Sequence, residues 1–107
     1  MQSNGAEELM LSEQRLEQYA YQKRQFHSQL TEAKAALEAL RTTGDAYKII
    51  GNLMVKQTPE GLRKELEERE ETLRVRIASI EKQEEKLQER SQELRQAMIQ
   101  QQSTKKK

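Results

Sequence analysis

The chain has 107 residues, of which 34% are hydrophobic, 35% charged and 4% aromatic; this is poor material for a globular core and the usual material of long helices and coiled coils. Its 19 lysines and arginines balance 18 acidic residues, so the net charge of +1 gives no general attraction to nucleic acid or to an anionic membrane. With no cysteine there is neither a disulfide framework nor thiolate chemistry, and no segment approaches the roughly 20 apolar residues of a membrane span, so the chain reads as soluble and cytosolic.

The N-terminal MQSNGAEELM lacks the basic stretch and apolar run of a secretory signal. From Leu9 onward two rows repeat at sevens. The first is Leu9, Leu16, Lys23, Leu30 and Leu37, and the second is Ser12, Tyr19, Phe26, Ala33 and Leu40. Only Ser12 and Lys23 interrupt them, which predicts a heptad helix over residues 6–43; some 35 helical residues would be about 50 Å long at the helical rise. Asn4 and Glu7 have the spacing of a capping box, and Gly44 is placed to end the helix.

Between Tyr47 and Lys56 the sequence YKIIGNLMVK predicts a β-hairpin, assigned to residues 46–57, with Gly51-Asn52 as a two-residue turn because both residue types tolerate positive φ. That turn sets Ile50 against Leu53 and Lys48 against Val55 on one face, and Ile49 against Met54 and Tyr47 against Lys56 on the other. Both faces are apolar near the turn. An isolated hairpin is marginal in water and carries two open edges, and one coiled coil can cover only one of its faces. The expected outcome is a larger sheet built from several chains rather than a hairpin folded onto its own helices.

Thr58-Pro59 predicts the start of a second helix over 59–101, with threonine as cap and proline where its missing N–H is harmless. Its seam is Leu66, Leu73, Ile80, Leu87 and Leu94; the accompanying row, Glu70, Ile77, Glu84, Ser91 and Met98, is half polar. Glu65 with Arg69 and Glu70 with Arg74 are spaced for surface ion pairs. A short connection folds two such helices antiparallel. The expected layers are Leu40 with Leu66, Ala33 with Leu73, Phe26 with Ile80, Tyr19 with Leu87 and Ser12 with Leu94, a seam that weakens toward the chain termini. The tail QQQSTKKK either extends the helix or is a solvated end, and residues 102–107 are taken as disordered.

Leu9, Met10 and Leu11 are consecutive, so a heptad seam buries only the first; Met98 and Ile99 do the same at the other terminus. In the antiparallel arrangement both clusters share one end. Two readings stay open: a weak binding surface for partners of no fixed shape, which suits methionine, or a pair of frayed helix ends. Catalytic and ligand sites find no support. His27 has no second ligand at metal-binding spacing, Glu84-Glu85 and Glu70-Glu71 lie on a polar helix without a pocket, and Gly51-Asn52 lacks a phosphate-loop context. No catalytic residue, metal or cofactor is assigned.

Helix, single hairpin and helix, with YKIIGNLMVK at the hairpin and ELEEREETLRVRIASIEKQEEKLQ after it, resemble the beta-type subunits of prefoldin, an archaeal and eukaryotic co-chaperone. The specific part is the YK-x-x-GN-apolar-apolar-V-K pattern, and RIASIEKQEEKL points to the archaeal type. The resemblance implies a mainly α fold: one prefoldin-like domain over residues 1–107, a long antiparallel two-helix coiled coil interrupted by one β-hairpin. It further implies a hexamer of two alpha-type and four beta-type subunits, whose hairpins build an intermolecular β-barrel. By position, Tyr47, Ile49, Ile50, Leu53, Met54 and Val55 would make the barrel contacts. Leu9, Met10, Leu11, Met98 and Ile99 would fall at client-binding tips. The implied activity is ATP-independent capture of unfolded polypeptides and their transfer to a group II chaperonin, with no role for nucleic acid or membrane. A different class of function, a structural coiled-coil adaptor that binds one folded partner, fits the same residues.

Overall fold

The structure, a computed structural model, describes residues 5–105. Its elements run in the order α1 (Gly5–Leu40), β1 (Ala46–Ile50), β2 (Leu53–Gln57) and α2 (Pro59–Lys105). They form two compact units, one from Gln25–Ile77 and one from the described parts of Met1–Arg24 and Ala78–Lys107. Within each unit an early stretch of one helix meets a late stretch of the other, so the pairing is antiparallel.

The unit Gln25–Ile77 holds the hairpin and a small core. Leu30, Leu73 and Ile77 are buried together, with Phe26 packed against them and the Arg76 guanidinium 5.8 Å from the Phe26 ring centroid. Ala33, Leu40 and Ala46 are buried as well. In the other unit the buried residues are Ser12, Ile80, Ser91 and Leu94. All of these except Ala46 lie on the heptad rows.

Both ends of α1 qualify the sequence reading. The proposed Asn4 cap lies outside the described residues. At the other end α1 stops at Leu40, short of 43 and before Gly44. The amides of Arg41 and Thr42 donate to the carbonyls of Glu38 and Ala39, three residues back, and the Thr42 hydroxyl donates to the Ala39 carbonyl as well. This tightening engages the Glu38 and Ala39 carbonyls without a left-handed glycine cap. The second helix starts as expected: the Gly61 amide donates to Thr58 Oγ1 at 3.1 Å and the Leu62 amide to the Thr58 carbonyl at 3.0 Å. A Cβ at Gly61 would lie 2.9 Å from that hydroxyl oxygen, so glycine lets the cap close. The far end differs, since α2 continues to Lys105 instead of stopping at 101. Glutamine and lysine sustain a helix, and no glycine or proline interrupts this stretch. Of the expected disordered tail, 102–105 are helical and the last two residues lie outside the described residues.

Candidate binding surfaces

The hairpin register is Ile50 with Leu53, Ile49 with Met54, Lys48 with Val55, Tyr47 with Lys56 and Ala46 with Gln57, as the turn predicts. The turn itself is more economical than expected. Only Gly51 takes positive φ, at +61°, while Asn52 does not, which is the pattern of a type II′ turn with glycine first. Among the described residues no helix covers either face near this turn. Ile49 and Met54 on one face are 70% and 68% exposed; Ile50 and Leu53 on the other are 55% and 65% exposed. Tyr47 and Val55 are exposed too.

Two contacts at the base hold the strands in place. Ala46 is buried, and Lys48 Nζ makes a 2.5 Å ion pair with Glu65 Oε1 on α2. Glu65 therefore pairs with the hairpin and not with Arg69, one turn away. The other expected surface pair, Glu70 with Arg74, is present.

The second surface lies where both helix termini meet, in the unit of Met1–Arg24 and Ala78–Lys107. Leu9, Arg95, Met98 and Ile99 line an open depression of about 230 Å³. Leu9 and Met98 are half-buried, whereas Met10, Leu11 and Ile99 are each more than half exposed. The backbone of Gly5 comes so near Met98 that an added Cβ would be 3.4 Å from its Cγ. Two ion pairs cross between the helices here: Arg90 Nε to Glu8 Oε1 at 3.0 Å and Arg95 Nη2 to Glu13 Oε1 at 2.7 Å. The hydrogen bond and charge of Glu8, opposed by desolvation and aided by a smaller share from Glu93, raise the Arg90 pKa above its ordinary value. Of the site residues read from the sequence, the structure thus brings Leu9, Met98 and Ile99 together and leaves Met10 and Leu11 on outward positions. Arg95 was missed, although it stands three residues before Met98 and four before Ile99, on the same helical face.

Between these surfaces in the sequence, the seam contains a polar match that the row-by-row reading overlooked. Lys23, which interrupts its leucine row, and Glu84, in the half-polar row of α2, form an ion pair of 2.7 Å with side chains 29% and 14% exposed. Glu84 is therefore not a solvated charge. Residue numbers that sum to 107 pair the remaining two rows: Lys23 with Glu84, Leu30 with Ile77 in the shared core, and Leu9 with Met98 around the depression. The same register sets Ser91 opposite Leu16. Ser91 is 3% exposed and its hydroxyl has no hydrogen-bond partner, as an apolar neighbour would leave it.

His27 is exposed, and among the described residues no group of three histidine, cysteine or acidic side chains is placed to hold a metal ion. No helix of the described residues is long and apolar enough to cross a membrane.

Known proteins match this arrangement along most of its length. The family model described as prefoldin subunit matches residues 5–105. The prefoldin beta subunit of Archaeoglobus fulgidus is 37% identical over 94 residues, 85% of this chain and 81% of its own. That of Pyrococcus horikoshii is 41% identical over 87 residues, 78% of this chain and 74% of its own. The crystal structure of the prefoldin beta subunit from Thermococcus strain KS-1 superposes with a TM-score of 0.81 at 38% identity, covering 90% of this chain and 86% of that one. Two long helices joined by one exposed hairpin, on a sequence related to these along nearly its whole length, place the chain in the prefoldin subunit family of chaperones, among relatives that are beta subunits.

Proposed function

We propose that this chain is a subunit of an ATP-independent holdase of the cytoplasm, assembled through its hairpin and binding unfolded polypeptide at the meeting point of its helix termini. The observation that carries the reading is the hairpin with large apolar side chains exposed on both faces. Such a surface is tolerable in water only when other chains cover it. Tyr47, Ile49, Ile50, Leu53, Met54 and Val55 make the subunit contacts, in a hexamer of two alpha-type and four beta-type chains whose hairpins close into a barrel. Closure removes the open strand edges that a single hairpin leaves.

Leu9, Met10, Leu11, Met98 and Ile99 form the client surface. The patch is small and flexible in its side chains, which suits weak, unselective contact with non-native chains. Clients then pass to a group II chaperonin. The test replaces Met10, Leu11, Met98 and Ile99 together by serine and measures suppression of aggregation of several unrelated denatured proteins at stoichiometric amounts. Native mass spectrometry checks that assembly is unchanged. Loss of suppression by an intact assembly supports the assignment. Full suppression by the variant overturns the client surface, and no suppression by the wild-type assembly overturns the holdase reading in favour of an adaptor.

A further inference from the structure

We infer that the cross-helix pairs Glu8–Arg90 and Glu13–Arg95 form a salt-sensitive clamp that holds the two helix termini together and limits how much apolar surface the client site presents. The inference rests on the holdase reading for its purpose, but not for its physics. Four observations meet in one short stretch. Both pairs link α1 to α2, and each has both side chains at least 40% exposed, so their attraction falls as salt rises.

The seam they flank is weak for its depth. It buries Ser12 and Ser91 beside Leu94, where the other unit buries Leu30, Leu73 and Ile77 together, so closing it removes less apolar area from water than the core of that unit does. Closure also strands the Ser91 hydroxyl without a partner, and opening returns it to water. Finally, the residues that opening would bare are apolar: Leu94 is buried, while Leu9 and Met98 are half-buried around the existing depression. The balance between a thin seam and two exposed ion pairs is therefore close, and the ionic medium decides it. At high salt the termini part and the patch grows from Met10, Leu11 and Ile99 to include Leu9, Leu94 and Met98.

Hydrogen exchange read by mass spectrometry on the assembled complex, without client, tests the clamp. Exposed ion pairs shift a local equilibrium by a few-fold each, so two acting on one opening should give about a threefold to tenfold change. Amides of 6–16 and 90–101 should exchange faster by that factor between about 0.05 M and about 1 M salt, where the screening length falls to about 3 Å. Amides of 64–77, in the other unit, report any general effect of salt. The variant Arg90→Gln/Arg95→Gln should exchange fast already at low salt and respond little to more. The reversal Glu13→Arg/Arg95→Glu should keep the wild-type salt response. A salt response in Arg90→Gln/Arg95→Gln equal to that of the wild type, or no response in the wild type, overturns the clamp. Because client is absent, this outcome is independent of the aggregation assay that judges the holdase reading.

Discussion

Replacing Lys23 and Glu84 by leucine, singly and together, tests whether the polar break in the seam is a matched pair or two independent defects. Their 2.7 Å contact has a gross attraction of about 6 kcal/mol at an effective dielectric of about 20, most of which desolvation cancels. Exposed pairs contribute about 0.2–1 kcal/mol, and breaking a fully buried one costs about 3–5 kcal/mol. With side chains 29% and 14% exposed this pair falls between those limits, and a coupling of about 1–2 kcal/mol is expected.

The two single changes are not equivalent. Lys23→Leu strands a carboxylate on the more buried side and should cost about 1–2 kcal/mol. Glu84→Leu leaves a lysine whose long stem can carry its charge to water, so it should cost less than about 1 kcal/mol. The double variant completes the leucine row of α1 and sets an apolar partner opposite it on α2, and should return to within about 0.5 kcal/mol of the wild type or exceed it. Urea or thermal unfolding followed by circular dichroism, at one subunit concentration throughout, gives the three differences. A double variant destabilised by the simple sum of the singles would refute the pairing argument. The coupling should also persist at high salt, because a half-buried pair is screened less than an exposed one.

Ser91→Ala removes a buried hydroxyl that has no partner and places a better helix former in α2. It should stabilise the protein by about 1–2 kcal/mol in the same unfolding assay, and a loss of stability would mean that the hydroxyl is bonded in solution. Thr58→Ala deletes the side-chain acceptor of the Gly61 amide and should cost about 1 kcal/mol, with Thr58→Ser close to the wild type. Gly51→Val forces a β-branched residue into φ +61° and should cost about 1–3 kcal/mol of hairpin stability. Native mass spectrometry of this variant should show a lower fraction of assembled complex, and an unchanged fraction would contradict assembly through the hairpin.

Much of this architecture is decided locally and is therefore readable in the sequence. Heptad spacing marks the two helices because a residue's place on a helical face depends only on its number, and the burial of Leu30, Ala33, Leu73, Ile77 and Ile80 follows those rows. Gly51-Asn52 sets the strand register because a two-residue turn leaves no freedom in which residues face one another. Thr58-Pro59 announces the start of α2 because capping involves only the next few amides.

What the tertiary structure alone decides are the matters that depend on which surfaces meet. Lys23 and Glu84 look like separate flaws until two helices bring them to 2.7 Å, and Glu65 turns from its helical neighbour Arg69 to Lys48 on the hairpin. The close of α1 at Leu40 is set by competing hydrogen bonds of Arg41 and Thr42, not by the glycine downstream. Composition shows a greasy hairpin, but only the fold shows that the chain's own helices leave Ile49, Ile50, Leu53 and Met54 exposed. Burial is a property of the whole set of neighbours, and no local stretch of sequence contains that set.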